Sequence, residues 1–202
     1  MGFVLISLSA DASTYFPGDL WVSRHLQQIH SSVFDKAVTL PETFADLPLV
    51  LAIWVPSVVL LWLLRYRLEA RLLAAAPFGW VVNRIVKELV MRPRPSHELV
   101  RIQDAANDPS FPSGHVITAV LILGFLLYIV TILTKQPLVR LILQLACLYG
   151  IIFCGIARIY HGAHWFSDVY GAALLGALIL AVIVAIHRWL LGQARVAIEP
   201  HS

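Results

Sequence analysis

Residues 116–157 read VITAVLILGFLLYIVTILTKQPLVRLILQLACLYGIIFCGIA. Two runs without an acidic or basic side chain, 116–134 and 141–157, flank a short connection that carries Lys135 and Arg140. Because a helix needs about 20 apolar residues to cross the hydrocarbon of a bilayer, each run predicts one membrane-spanning helix. The chain then folds back on itself through the connection. These two runs indicate an all-α protein that is embedded in a membrane.

The rest of the chain has the same character. Of its 202 residues, 59% are hydrophobic and only 13% are charged, which excludes an ordinary soluble domain. Apolar runs at 47–64 and 169–186 predict two further spans, and 68–90 predicts a fifth that carries charged residues near one end. The predicted fold class is a polytopic transmembrane helix bundle with five firm spans. We expect a single membrane-embedded domain over 1–202 with its transmembrane core at 47–190.

The N-terminal segment, residues 1–46, is predicted to contain no span. Met1 to Ala10 is too short to cross a bilayer and is followed by polar residues. Between Leu20 and Leu40, apolar and polar side chains alternate in a pattern typical of a helix that lies along the membrane interface. We therefore expect an N-terminal interfacial helix.

Charge and cysteine content narrow the function further. The net charge is +3, but Lys and Arg form no dense run with interleaved aromatics, so we predict no binding to nucleic acid. Cys147 and Cys154 lie seven residues apart in one apolar run, which places them on the same helix face. Two such cysteines cannot pair with each other, and we predict that they only contribute to packing.

The orientation in the membrane depends on how Lys and Arg are divided between its two sides. If the spans alternate, one side holds the connections 65–71 and 135–140 and the tail after His187, with seven such residues against eight on the other side. The eight fall to five when three residues are reserved for binding an anion: Lys87, Arg94 and Arg158. The first side then faces the cytoplasm, and the polar segments described next face away from it.

Three polar segments interrupt the apolar chain on the second side. In the first, 87–95, Lys87 and Arg94 are two helical turns apart and would project from one face if the helix continued that far. The acidic residues of this segment and its surroundings are only Glu88 and Glu98. Two cations with few acidic partners favour binding of phosphate oxygens, and Arg adds a planar pair of donors.

The second polar segment, 112–115, precedes a long apolar run and predicts a helix N-terminus. Ser113 can cap the helix, and Gly114 lets the backbone approach a ligand. The unpaired amides and the positive end of the helix dipole attract an anion. His115 would then lie in the first turn beside that anion.

The third polar segment, 158–168, contains a histidine and a carboxylate one helical turn apart, His164 and Asp168. A carboxylate at that distance can accept one imidazole N–H and leave the other nitrogen free to attack phosphorus. His161 competes for the role, but seven residues separate it from Asp168. We therefore favour His164 as the nucleophile, with Arg158 as a third cation.

Metal catalysis is the alternative that the same residues allow. The possible ligands on this side of the membrane are His97, His115, His161, His164, Asp108 and Asp168. Three converging cations can supply the charge neutralisation that a metal would provide, and no His-Glu-x-x-His motif occurs. We predict that neither a metal nor another cofactor is required.

Taken together, the three polar segments resemble the signature of the type 2 phosphatidic acid phosphatase family. Its parts are Lys87-x6-Arg94-Pro95, Pro112-Ser113-Gly114-His115, and Arg158-x5-His164-x3-Asp168. Soluble acid phosphatases and vanadium-dependent haloperoxidases share the signature, but the apolar spans favour a substrate delivered from the bilayer.

The resemblance implies a mechanism. His164 would form a phosphohistidine oriented by Asp168, and His115 would protonate the leaving group and later activate water. The phosphoryl oxygens would be held by three cations and two backbone amides: Lys87, Arg94, Arg158, Ser113 and Gly114. This chain departs from the family in having Ala157 where Ser is usual, and five predicted spans where six are usual.

The expected function is hydrolysis of a lipid phosphate or diphosphate at the extracytoplasmic face of the cell membrane. Undecaprenyl diphosphate, phosphatidylglycerol phosphate and phosphatidic acid are the candidate substrates, with the polyprenyl diphosphate ranked first. The alternative is a membrane protein that binds or transports phospholipid without catalysis. The presence of His164, His115 and Asp168 favours the enzyme.

Overall fold

The computed structural model describes residues 15–43 and 47–198, and within these ranges it contains helices and no strand. In chain order the helices are α1 (Pro17–Gln27), α2 (Ser32–Thr43), α3 (Leu47–Leu63), α4 (Arg67–Ala74), α5 (Phe78–Val90), α6 (Gly114–Leu133), α7 (Pro137–Tyr160) and α8 (Phe166–Ile198). The prediction of an all-α fold is confirmed.

Three helices of the described chain are long and apolar enough to cross a membrane: α6, α7 and the part of α8 up to Gln193. They correspond to the spans predicted at 116–134, 141–157 and 169–186, and each begins earlier than the apolar run. Helix α3 is also apolar but has only 17 residues and contains Pro56. The protein is therefore a multi-pass membrane protein.

The fifth predicted span, 68–90, is not one continuous helix. It is divided into α4, with 8 residues, and α5, with 13. The division falls at Pro77, which has no N–H to continue the α4 hydrogen-bond ladder and restricts the residue before it. Neither helix alone reaches the length of a span, so the prediction of five full spans is corrected to three long helices, the shorter α3 and this broken pair.

The N-terminal interfacial helix predicted over 20–40 is also divided, into α1 and α2. Helix α1 ends at Gln27, and the Ser31 hydroxyl accepts a hydrogen bond from the Phe34 amide at 3.4 Å, which helps to start α2. Gln27 holds α1 against the rest of the protein, because its side chain bonds the carbonyl oxygens of Arg101 and Tyr160. Met1 to Ala10 lies outside the described residues.

Helix α6 is the most buried of the three long helices and packs against both α7 and α8. Its apolar side chains form the centre of the main core, together with residues of α4 and α8. Cys147 and Cys154 both lie on α7, where Cys147 is half-buried and Cys154 is buried. At one end of the bundle, the end of α5, the start of α6, and the α7 to α8 turn meet the loop 91–113. The three polar segments lie at this end.

Candidate active site

A polar cavity of about 360 Å³ opens at this end of the bundle. Among the residues that line it are six of the eight candidate site residues: Lys87, Arg94, Gly114, His115, Arg158 and His164. Asp168 and Ser113 lie behind the cavity wall, and both are fully buried. The fold thus brings together residues that are up to 77 positions apart in the sequence, from Lys87 to His164.

The turn between α7 and α8 places His164. Gly162 adopts φ +71°, and a Cβ there would lie 2.2 Å from the Arg101 carbonyl oxygen, so only glycine fits. The amides of Ala163 and His164 both donate to the carbonyl oxygen of Arg158, at 3.0 and 3.1 Å. The turn therefore couples the position of His164 to the end of α7.

The two ring nitrogens of His164 face different surroundings. Nε2 lies 3.2 Å from the Arg94 guanidinium, which can only donate, so Nε2 is the acceptor. Nδ1 then carries the proton and points toward Ser110 and Asp168. The pKa of His164 is lowered to about 3, mainly by burial; Asp168 opposes this shift and the nearby Arg94 charge adds to it. The imidazole is therefore neutral, with its Nε2 lone pair facing Arg94 in the cavity lining.

Asp168 is not hydrogen-bonded directly to His164. Its Oδ2 lies 3.6 Å from the His164 Nδ1, which is longer than a hydrogen bond. The Ser110 hydroxyl lies between the two residues, 3.4 Å from Nδ1, and donates to the same Asp168 oxygen. The predicted direct hydrogen bond is corrected to a contact through Ser110, because helix α8 begins only at Phe166 and the two residues do not share a full helical turn.

Lys87 and Arg94 do not share a helix face, since α5 ends at Val90 and Met91 takes a left-handed conformation with φ 49°. They meet instead at Asp108, whose carboxylate pairs with both. The expectation of cations with few acidic partners was therefore wrong. Burial favours the protonated form of Asp108, but hydrogen bonds from the two cations outweigh it and hold its pKa well below the ordinary range.

Arg158 has a similar carboxylate partner. Its Nη2 lies 2.5 Å from the Asp104 Oδ2, and this hydrogen bond lowers the pKa of Asp104 although burial alone would raise it. Asp104 and Asp108 both line the cavity. Two loop carboxylates thus lie against the three cations, at positions that phosphoryl oxygens could take.

The second polar segment forms a helix N-terminus as predicted, with Ser113 at the cap of α6 and Gly114 as its first residue. The amide of Ser113, however, donates to the carbonyl oxygen of Asp168 at 3.3 Å. In this conformation the amide is not available to a phosphoryl group, and the role predicted for it is corrected. Gly114 and His115 do face the cavity.

Several residues around the site escaped the sequence prediction. Ser110, Arg92 and Asp19 contact Asp168 or its partners, and no local motif marks them. Asn83 lines the cavity one helical turn before Lys87, with its Oδ1 buried and without a hydrogen-bond partner among the described residues. Asn83 could have been found only from its spacing of four residues from Lys87, because residues four apart share a helix face.

A second, apolar cavity of about 490 Å³ adjoins the polar one and lies between α3, α5 and α6. The two cavities share Trp80 and Thr118 in their linings. Leu51 and Trp54 of α3 line the apolar cavity from the opposite side. A phosphate group in the polar cavity could therefore be continuous with a hydrocarbon chain in the apolar one.

Comparisons with known proteins identify the family of the chain and support its fold. The family model described as the PAP2 superfamily matches residues 68–191. A PAP2-type phosphatidylglycerolphosphate phosphatase from Bacillus subtilis has a similar crystal structure, with a TM-score of 0.76, 20% identity, and coverage of 93% of this chain and 94% of that one. Aquifex aeolicus LpxE has a TM-score of 0.64, 23% identity, and coverage of 84% and 96%. The chain matches no curated protein at the sequence level.

Proposed function

The chain belongs to the PAP2 superfamily, and on that premise we propose that it is a membrane phosphatase that hydrolyses a lipid phosphate or diphosphate through a phosphohistidine at His164. One observation carries the proposal. The His164 Nε2 faces Arg94 in the lining of a cavity that also contains Lys87 and Arg158, while Nδ1 is turned toward a buried carboxylate. A neutral imidazole held in this way is an activated nucleophile.

In the proposed enzyme, the substrate phosphate replaces the loop carboxylates on the cations. Arg94 now donates to Asp108 and to the His164 Nε2, and both contacts would be exchanged for phosphoryl oxygens. Lys87 and Arg158 would make the same exchange from Asp108 and Asp104. Cations fixed in a partly buried site stabilise the charge that develops on phosphorus oxygens during transfer.

The chemistry follows in two steps. In the first, the Nε2 lone pair forms a bond to phosphorus, the bond from phosphorus to the leaving oxygen breaks, and His115 gives that oxygen a proton. In the second, His115 takes a proton from water, the water oxygen attacks phosphorus, and the phosphorus to Nε2 bond breaks. Inorganic phosphate leaves and His164 is restored. His115 thus acts as acid and then as base, the usual division of general catalysis.

Substrate selection is proposed to use both cavities. The polar cavity contains three cations, which can neutralise the larger negative charge of a diphosphate. We therefore rank undecaprenyl diphosphate before phosphatidylglycerol phosphate and phosphatidic acid. The adjoining apolar cavity would take the first part of the hydrocarbon chain. We propose that the active site opens on the extracytoplasmic face of the cell membrane, which follows from the distribution of Lys and Arg once Lys87, Arg94 and Arg158 are reserved for phosphate.

Purified protein in detergent should release phosphate from at least one of these three lipids in the presence of excess chelator, because cations of the chain itself neutralise the phosphoryl group. Phosphate release is measured for each lipid with chelator alone and after addition of Mg²⁺ or Zn²⁺. Activity that appears only with added metal would exclude the metal-independent mechanism. Binding of the lipids without phosphate release would favour a lipid-binding or transport protein.

Narrowing the apolar cavity should impair lipid substrates selectively. In Leu51→Trp, the larger ring should fill part of this cavity and lower kcat/KM for a long-chain lipid phosphate about tenfold, the size of effect expected from one badly fitted apolar group. Hydrolysis of water-soluble p-nitrophenyl phosphate should be unchanged. Leu60→Trp is the matched control, since Leu60 is exposed on the same helix and lines neither cavity. Equal effects of both variants on the lipid would contradict this path.

A further inference from the structure

A buried charge cluster lies behind the nucleophile, on the side away from the cavity. Its centre is the guanidinium of Arg92, whose side chain is fully buried. Nη1 is 2.6 Å from the Asp168 Oδ1, and Nη2 is 2.9 Å from the Asp19 Oδ2. Arg92 does not line the cavity and cannot touch a phosphate there. Its contacts are instead with the carboxylate that faces His164.

Arg92 contacts one oxygen of that carboxylate directly and is linked to the other through Ser110, while the Trp165 amide also donates to that second oxygen at 2.8 Å. The guanidinium bonds the Asp168 Oδ1 directly. The carbonyl oxygen of Arg92 accepts the amide of Ser110 at 2.8 Å, and the Ser110 hydroxyl donates to the Asp168 Oδ2. Since Ser110 also lies between Asp168 and His164, one arginine holds the carboxylate by its side chain and the linking hydroxyl by its backbone.

Asp19 on α1 completes the cluster. Its Oδ1 accepts the Ser167 amide at 2.7 Å, and its Oδ2 accepts the Ser167 hydroxyl at 2.7 Å in addition to Arg92. A guanidinium buried between two carboxylates is paired on both sides, which a charge without access to water requires. The formal charge of the cluster is −1, counting Asp19 and Asp168 against Arg92.

That single negative charge suits the proposed chemistry. When Nε2 accepts a phosphoryl group while Nδ1 keeps its proton, the imidazole ring becomes cationic. Asp168 paired with Arg92 alone would be a neutral pair and would compensate this cation poorly. Asp19 restores a net negative charge behind the ring, so the N-terminal helix contributes to the stability of the intermediate.

We propose that Arg92 is a positioning residue for His164, acting through Asp168 and Ser110, and that Asp19 is its charge partner. This inference rests on the proposed phosphohistidine mechanism. Asp19 lies outside the three polar segments. Arg92 lies within the first of them, but the family signature assigns it no role. The consequence is that helix α1 is required for full turnover although it does not reach the cavity.

The test compares Arg92→Gln, Arg92→Lys and Asp19→Asn with the wild type, using p-nitrophenyl phosphate in detergent. Arg92→Gln should lower kcat on the order of 10²-fold, the cost of a small misplacement of a reacting group, while KM changes little because the phosphate-binding cations are intact. Arg92→Lys keeps the charge and should recover part of the loss. Asp19→Asn keeps the shape of the side chain but removes its charge and replaces one of its two accepting oxygens by an NH2 group, and should lower kcat about tenfold.

Arg24→Gln is the matched control. Arg24 also lies on α1 and bonds the Leu99 carbonyl oxygen, but it is exposed and has no contact with Asp168. We expect wild-type kcat in this variant. The thermal midpoint of each variant is measured beside its kinetics, so that loss of fold is separated from loss of turnover.

The possible outcomes distinguish failure of this inference from failure of the proposed phosphatase function. An inactive wild type would overturn both. An active wild type with unchanged kcat in Arg92→Gln and Asp19→Asn would overturn the positioning role alone, whether or not their thermal midpoints fall. A rise in KM with unchanged kcat would also overturn it, because that result would mean direct participation in binding. If Arg92→Gln does not fold, the kcat of the variant Asp19→Asn still decides the question.

Discussion

Replacement of His164 by glutamine is expected to abolish turnover, with kcat lowered by at least on the order of 10⁴-fold. Glutamine can fill a similar volume, but the lone pair of its amide nitrogen is delocalised into the carbonyl group and cannot attack phosphorus. The measurement is phosphate release in detergent from the lipid that the wild type hydrolyses. Labelled substrate should leave phosphate on the wild-type protein after alkaline denaturation, which preserves a phosphorus to nitrogen bond, and none on the variant.

His161→Gln is the comparison that assigns the nucleophile. His161 lies three residues earlier in the same turn and is also buried, but it does not line the polar cavity. We expect this variant to keep turnover and to retain the covalent label. Full activity of His164→Gln together with loss of activity in His161→Gln would transfer the nucleophilic role to His161. Full activity in both variants would falsify the phosphohistidine mechanism.

Much of the site could be predicted because short-range spacing carries chemical information. Pro112 to His115 stands directly before an apolar run, and this order alone predicts a helix N-terminus that carries a histidine. The ends of apolar runs also place polar segments on one side of a membrane, which brings Lys87 near His164 without knowledge of any contact. The cavity does contain both residues.

The contacts that support the nucleophile could not be predicted in this way. Asp19 and Ser167 are separated by 148 residues, and Arg92 and Asp168 by 76. No periodicity connects such positions, and an Asp in the first turn of a helix is read first as a local capping residue. Asp19 does serve as one, since it accepts the Phe16 amide at 2.9 Å, and this local role conceals its contact with Arg92.

The fifth predicted span, which is divided at Pro77, also makes a contact that the sequence does not reveal. Hydropathy over 68–90 is compatible with a membrane helix, and the charged side chains at its ends can be explained by exposure to the interface. The structure instead buries Glu69 of α4 against His187 of α8, at 3.0 Å, so that a charged residue inside the bundle is paired. This partner is 118 residues away, and composition cannot reveal it.

Replacement of His115 by glutamine should affect the two steps of the reaction differently. With a lipid substrate, loss of the acid should lower kcat about 10²- to 10⁴-fold. With p-nitrophenyl phosphate, the leaving phenolate needs no proton, so phosphorylation of His164 should remain fast while attack by water becomes slow. We therefore expect a burst of one nitrophenolate per active site, followed by a slow steady state, together with accumulation of the covalent label.

His97→Gln is the control for this variant, because His97 is an exposed histidine of the loop 91–113 that does not line the polar cavity. It should show wild-type rates with both substrates and no accumulated label. An equal loss with lipid and with p-nitrophenyl phosphate, without a burst, would contradict the acid role of His115 and indicate that it only shapes the site. A burst with the label on His164 would instead show that the nucleophile and the proton donor are different residues. The variant would then still form the phosphohistidine but fail to hydrolyse it.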